Sequence, residues 1–201
     1  AHFLEHMAFQ GTKNFPGKGI ITSLEKHGVS FGRNINAYTA QNETVYNLSD
    51  VPTNSESLLD TCLLILHDWS YYLTLEDDEI DAERGVITEE WRTRRTPQFR
   101  IQKQMFPVLF KDSKYAIRDV IGNLDVIKNF KYQTIRDFYH EWYRTDLEAI
   151  AIVGDFDVAK MEQKVKELFS KIPAVENPTP RPFYEIPEHD EMYYCLATDK
   201  E

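Results

Sequence analysis

The chain has 201 residues, 42% of them hydrophobic and 28% charged, and its 23 Lys+Arg against 33 Asp+Glu give a formal net charge of −10. That balance disfavours nucleic acid and anionic membrane surfaces as partners, and apolar runs no longer than residues 62–66 and 149–153 give no helix that spans a bilayer. Two cysteines, Cys62 and Cys195, exclude a disulfide framework and a thiolate zinc site.

Residues 1–9 read as a helix with Leu4, Met7 and Ala8 on its apolar side. A motif of chemical interest at the first residues, without an initiator Met, predicts a piece of a longer polypeptide whose targeting signals lay upstream. Residues 11–17 are dense in turn formers, and 18–27 make a short helix stopped by Gly28. Residues 31–39 and 44–48 have strand character and are joined by the polar turn 40–43, which predicts a hairpin. Over 55–73 the apolar residues Leu58, Leu59, Cys62, Leu63, Leu66 and Trp69 recur at helical spacing. Thr74 reads as the N-cap of the next helix, which runs to about Arg95 with Glu76, Asp77 and Asp78 in its first turn. Residues 98–110 and 132–143 read as helices, 147–153 as a buried strand, and the segment after Gly154-Asp155 as an amphipathic helix carrying Val158, Met161, Val165, Leu168 and Phe169. Five prolines between 173 and 190 predict a stiff linker, after which 192–197 restarts as a strand. These elements predict one α+β domain over 1–172, a linker over 173–190 and the opening strand of a second domain over 191–201.

His2-x-x-Glu5-His6 on a helix is the inverted zinc motif. At 100° per residue His2 and His6 lie about 40° apart, with Glu5 about 60° to the other side of His2. Two neutral imidazoles at i and i+4 can share one Zn²⁺, and Glu5 is left beside it to accept a proton from water. A catalytic zinc site needs a third protein ligand, which the motif does not contain. Glu83 and Glu90, seven residues apart, lie about 20° apart around a helix, whereas Glu89 points about 100° away from Glu90 and reads as solvated. Val86 and Ile87 beside the Glu83/Glu90 stripe turn it toward the interior, where two carboxylates need cationic compensation. On spacing alone, either glutamate can complete the set.

The sequence resembles the pitrilysin, insulin-degrading enzyme and mitochondrial processing peptidase family of zinc metalloproteases, the inverzincins. The resemblance rests on His2-Phe-Leu-Glu-His6-Met-Ala-Phe-Gln-Gly-Thr12, Asn36-Ala-Tyr-Thr39, Glu43-Thr-Val-Tyr46, Glu83-Arg-Gly-Val-Ile87 with Glu90, and Tyr143-Arg144 leading into Ile152-Val-Gly-Asp155. It spans nearly the whole chain in order, and the stretch from Phe31 to Thr39 looks most like bacterial envelope members. The resemblance implies an antiparallel-rich sheet packed against helices on one face, with strands ahead of the motif absent. It implies Zn²⁺ held by His2, His6 and a distal Glu, with Glu5 as general base. The local match puts the distal ligand at Glu90 and leaves Glu83 to support a ligating histidine or the site water; the family's usual spacing, counted directly, falls near Glu83. Asn36, Ala37 and Tyr38 correspond to the edge strand on which a peptide substrate adds, with Ala37 and Tyr38 offering backbone groups. A homologous C-terminal half, or a partner subunit, would supply further groups to a shared chamber, so these 201 residues alone are expected to be inactive. A periplasmic or envelope location is likewise implied only by resemblance. The competing readings are a non-catalytic homologous half, against which the full motif set argues, and a metal-free peptide-binding or structural module, which stoichiometric zinc would exclude. Arg92, Arg94 and Arg95 read as a solvated helix end.

Overall fold

The computed structural model describes residues 1–200; residue 201, the last of the expected second-domain strand, lies outside them. The architecture is α+β. A two-stranded antiparallel sheet, β1 (Ile35–Thr39) and β2 (Thr44–Leu48), sits among α1 (His2–Met7), α2 (Gly19–Glu25), α3 (Glu56–Tyr71), α4 (Asp77–Thr93), α5 (Pro97–Leu109), α6 (Leu124–Asn129), α7 (Tyr132–Trp142) and α8 (Val158–Phe169). No helix among the described residues is long and apolar enough to cross a membrane.

The short helix α1 is held from three sides. Ala8 at its end joins Ile20, Leu24, Ile35, Leu58, Ile65 and Trp69 in a core between α2, β1 and α3. Leu4 and Met7 pack with Ile80, Ile135 and Tyr139 of α4 and α7. Phe3 leans on a third cluster formed by Ile87, Ile121 and Ile127. Each fully buried aliphatic side chain contributes about 1.5–3 kcal/mol, so a six-residue helix that is marginal by itself becomes a fixed platform. The Trp69 indole closes its C-terminus, donating from Nε1 to Ala8 O at 2.8 Å. The following loop is tied to α3 by buried Asp68, which accepts from Thr12 Oγ1 at 2.7 Å, Asn14 N at 2.9 Å and Asn14 Nδ2 at 2.8 Å.

Several expected boundaries move, each for a local reason. Strand β1 begins at Ile35 rather than 31, because Gly32 adopts φ +80 and the chain folds back, with Gly32 N–H donating to Ile35 O at 2.9 Å. Thr74 does not cap α4. Its hydroxyl donates to Gly11 O at 3.0 Å, and a Cβ on Gly11 would come within 2.9 Å of that hydroxyl, so the position suits glycine. Glu76 is the N-cap, and Asp77, Asp78 and Glu79 occupy the first turn, where the helix dipole favours them. The short helix α6, capped by Asn123, lies in a stretch the sequence reading left unassigned.

Residues 147–153 form no strand: they pair with no other among the described residues, and Ile150 and Val153 are exposed. Residues 192–197 also join no ladder. The stretch 193–199 is tied to α5 and the turn after it: Arg100 grips Asp199 at 2.7 and 2.6 Å, Gln104 Nε2 donates to Thr198 O at 3.3 Å, and Lys111 beyond the helix donates to Tyr193 at 2.7 Å. An apolar alternating run becomes a strand only where a partner edge supplies its hydrogen bonds.

Candidate metal centre

The face shared by His2, Glu5 and His6 on α1 meets the face shared by Glu83 and Glu90 on α4. Glu90 Oε2 lies 3.5 Å from His2 Nε2 and 3.2 Å from His6 Nε2. His6 turns its other nitrogen to Glu83, with Nδ1 2.7 Å from Oε1, and the second oxygen of Glu83 accepts from Gln10 Nε2 at 2.7 Å. Glu83 is buried at 4% exposure. Of the two hydrophobic residues expected beside this stripe, Ile87 is buried but Val86 faces solvent, since one residue of helix turns a side chain by about 100°. Arg94 is not merely solvated: its guanidinium holds Glu90 Oε1 at 2.6 Å, which leaves Oε2 facing the imidazoles.

The donor set fits a divalent cation. Nitrogen, nitrogen and carboxylate ligand atoms of His2, His6 and Glu90 lie within 4.8 Å of one another. His2 Nδ1 and Glu90 Oε2 are buried without any hydrogen-bond partner, although buried polar atoms are normally paired. Burial, partly opposed by Glu90, holds the His2 pKa down to about 4, so its imidazole is neutral near pH 7. His6 is shifted upward: burial opposes its charge, but the bond and field of Glu83 together with the fields of Glu90 and Glu5 outweigh it. A carboxylate on Nδ1 also fixes the tautomer that leaves the Nε2 lone pair free.

Glu5 is buried, and its Oε2 accepts a hydrogen bond from the Thr39 hydroxyl of β1. In the hairpin, Ala40 N–H donates to Glu43 O and Ser49 N–H to Asn34 O, both at 2.8 Å. Ladder bonds therefore fall on even-numbered residues of β1, and the backbone groups of Ala37 and Thr39 face the free edge. This corrects the expectation for Tyr38: its backbone belongs to the ladder opposite Val45, and its exposed phenol donates to Glu43 Oε1 at 3.1 Å. Asn36 is exposed, and its Oδ1 accepts from Ala37 N–H at 2.9 Å.

Two residues at the site went unassigned in the sequence. Gln10 follows His6 by one helical turn, and Thr39 shares strand parity with buried Ile35, so periodicity held a signal for both.

A separate cleft of about 690 Å³ lies beside β2, lined by Tyr46, Trp69, Phe138, Trp142, Tyr143 and Glu148 among others. Burial there pushes the Glu148 carboxyl up to about 7 from its ordinary 4.5. The folded chain then holds a proton that the unfolded chain has released, so stability falls as pH rises from about 4.5 to 7. Glu148→Gln removes this dependence. The melting temperature of the wild type should drop relative to the variant between pH 5 and pH 8, and parallel curves would exclude the effect.

Comparison with known proteins places these features in a lineage. Residues 1–111 match the family model described as insulinase (peptidase family M16), and residues 129–200 match that of the M16 inactive domain. The chain is 39% identical over 178 residues to the probable zinc protease PqqL of Haemophilus influenzae, covering 89% of this chain and 19% of that protein. It is 29% identical over 181 residues to the β subunit of the mitochondrial-processing peptidase of Saccharomyces cerevisiae, covering 90% of this chain and 37% of that subunit. The crystal structure of the first half of the periplasmic protease PqqL from Escherichia coli superposes with a TM-score of 0.86 at 38% identity, covering 95% of this chain and 40% of that one. The chain thus spans about a fifth of the length of the PqqL relative. With a family model matched over more than half of its residues, the chain belongs to the insulinase family, peptidase family M16.

Proposed function

We propose that this chain carries the zinc site of a metalloendopeptidase that hydrolyses peptides or unfolded protein segments. The observation that carries the reading is the convergence of two imidazoles and an otherwise unpartnered Glu90 oxygen from α1 and α4. In this reading His2, His6 and Glu90 hold the metal, and Glu83, paired with Gln10, orients His6. A zinc ion held there supplies the Lewis acidity that makes water nucleophilic near neutral pH.

Glu5 acts as general base. Its carboxylate takes one proton as the water oxygen bonds to the peptide carbonyl carbon, and returns that proton to the amine nitrogen as the C–N bond breaks. The substrate adds along the free edge of β1, where Ala37 and Thr39 present backbone groups, Asn36 exchanges its bond to Ala37 N–H for one to the substrate, and the Tyr38 ring borders the groove. Residues 1–172 form the catalytic domain, 173–190 a connector and 191–201 the start of a homologous domain, and a second half or subunit completes the enzyme. The names of the relatives, zinc proteases and a processing peptidase subunit, support this assignment.

Elemental analysis of the full-length protein should find one zinc per active site. Chelation should abolish cleavage of an unfolded peptide, and added zinc should restore it. Cleavage indifferent to chelation, or a protein purified without stoichiometric metal that also gains no activity from zinc, would overturn the reading.

A further inference from the structure

We infer that Thr39 is a positioning residue for the Glu5 carboxylate, its own hydroxyl backed by that of Thr44. The inference rests on Glu5 being the proton acceptor. Thr39 Oγ1 donates to Glu5 Oε2. Thr39 and Thr44 face each other as the last pair before the hairpin turn, and their hydroxyl oxygens are 3.3 Å apart. As a pair outside the ladder bonds, they have the closer side-chain approach of the two kinds of antiparallel pair. Beyond Thr44, the Tyr46 and Tyr143 phenols stand 2.7 Å apart.

Proton counting gives these two bonds a direction. Thr39 has one hydroxyl proton, and an ionised carboxylate can only accept, so that proton points to Glu5. Thr44 then donates to Thr39 across 3.3 Å. Burial pushes Tyr143 up to about 12 and Tyr46 well above its ordinary value, so both phenols keep their protons at working pH. Successive donors pointing the same way polarise one another. The neighbouring aromatic wall is packed: Tyr46 lies on Trp69 with ring centroids 5.1 Å apart, and Tyr143 on Tyr139 at 5.0 Å.

The consequence is local. The terminal torsion of a glutamate is broad, so a carboxylate on α1 without this bond samples orientations that aim neither oxygen at water. The Thr39 bond occupies Oε2 and leaves Oε1 as the oxygen free to take the proton. Thr39 touches neither water nor metal in this arrangement. It acts through Glu5.

The test uses the full-length zinc-loaded protein with Thr39→Val, which keeps the shape and loses the hydroxyl, and Thr39→Ser, which keeps the hydroxyl. Thr39→Val should lower kcat about 10–100-fold, the scale of a misplaced catalytic group, with KM and zinc content unchanged. Thr39→Ser should restore most of kcat. Crystal structures should show the Glu5 carboxylate displaced in the valine variant and in place in the serine variant. Wild-type kcat in Thr39→Val, or an undisplaced carboxylate, would overturn the inference. So would a loss in Thr39→Ser as large as that in Thr39→Val, since the hydroxyl alone then does not sustain kcat, or a rise in KM alone, which assigns Thr39 to substrate docking. Glu5→Gln run in parallel separates the two readings: if it still cleaves, the role of Glu5 fails; if it is dead while Thr39→Val is fully active, only the positioning role fails.

Discussion

Glu5→Gln in the full-length protein should abolish peptide hydrolysis and leave the zinc bound. The two parts of this result have separate causes. The amide is nearly isosteric with the carboxylate, and it can still accept from Thr39 through its oxygen. Leu4 and Met7, buried on either side of Glu5, keep α1 in place. His2, His6 and Glu90 converge without help from Glu5, so metal content is unchanged. What disappears is a basic oxygen, because an amide cannot take a proton from water near neutral pH. General acid–base contributions are about 10²–10⁴-fold, and in the proposed mechanism Glu5 serves in both attack and departure of the amine, so the loss should lie toward the upper end. Metal analysis and turnover on the same preparation check it. Appreciable cleavage by the variant removes Glu5 from its role, whereas loss of both zinc and turnover makes Glu5 a structural member of the site.

What could be read from the sequence divides along a physical line. The common face of His2, Glu5 and His6, and that of Glu83 and Glu90, follow from helix periodicity, which is local. The caps at Ser55 and Asp157, whose side chains accept from Leu58 N and Lys160 N, are equally local, although they were not named from the sequence. The hairpin was visible in its strand character and polar turn, expected over 31–39 and 44–48 and found over 35–39 and 44–48. Contacts between distant elements left weaker traces. Thr74 looks like a cap by its neighbours, but its hydroxyl is taken by Gly11 O, 63 residues away. The run 149–153 has strand composition, yet strand formation depends on a partner edge that composition does not encode. The link from Thr39 to Glu5 joins residues 34 apart and needs the packing of β1 against α1 to bring it about.

Glu90→Gln should lower zinc affinity more than Glu83→Gln, and the ranking decides which carboxylate is the ligand. Glu90 Oε2 faces both Nε2 atoms and has no other partner, so its charge is directed at the metal position. An amide there removes that charge and replaces a strong anionic donor by a weak neutral one. Glu83 stands one step back: it accepts from His6 Nδ1 and from Gln10. An amide at 83 can still accept from His6, but its NH₂ group then opposes the NH₂ of Gln10, and His6 loses orientation and basicity. Changes to such outer partners cost about 10–100-fold in metal affinity or activity, and loss of an anionic ligand should exceed that. Competition with a chromogenic chelator measures both variants on one scale. Weaker binding by Glu83→Gln than by Glu90→Gln would exchange the two roles, since the carboxylate whose charge the metal feels directly must dominate its affinity.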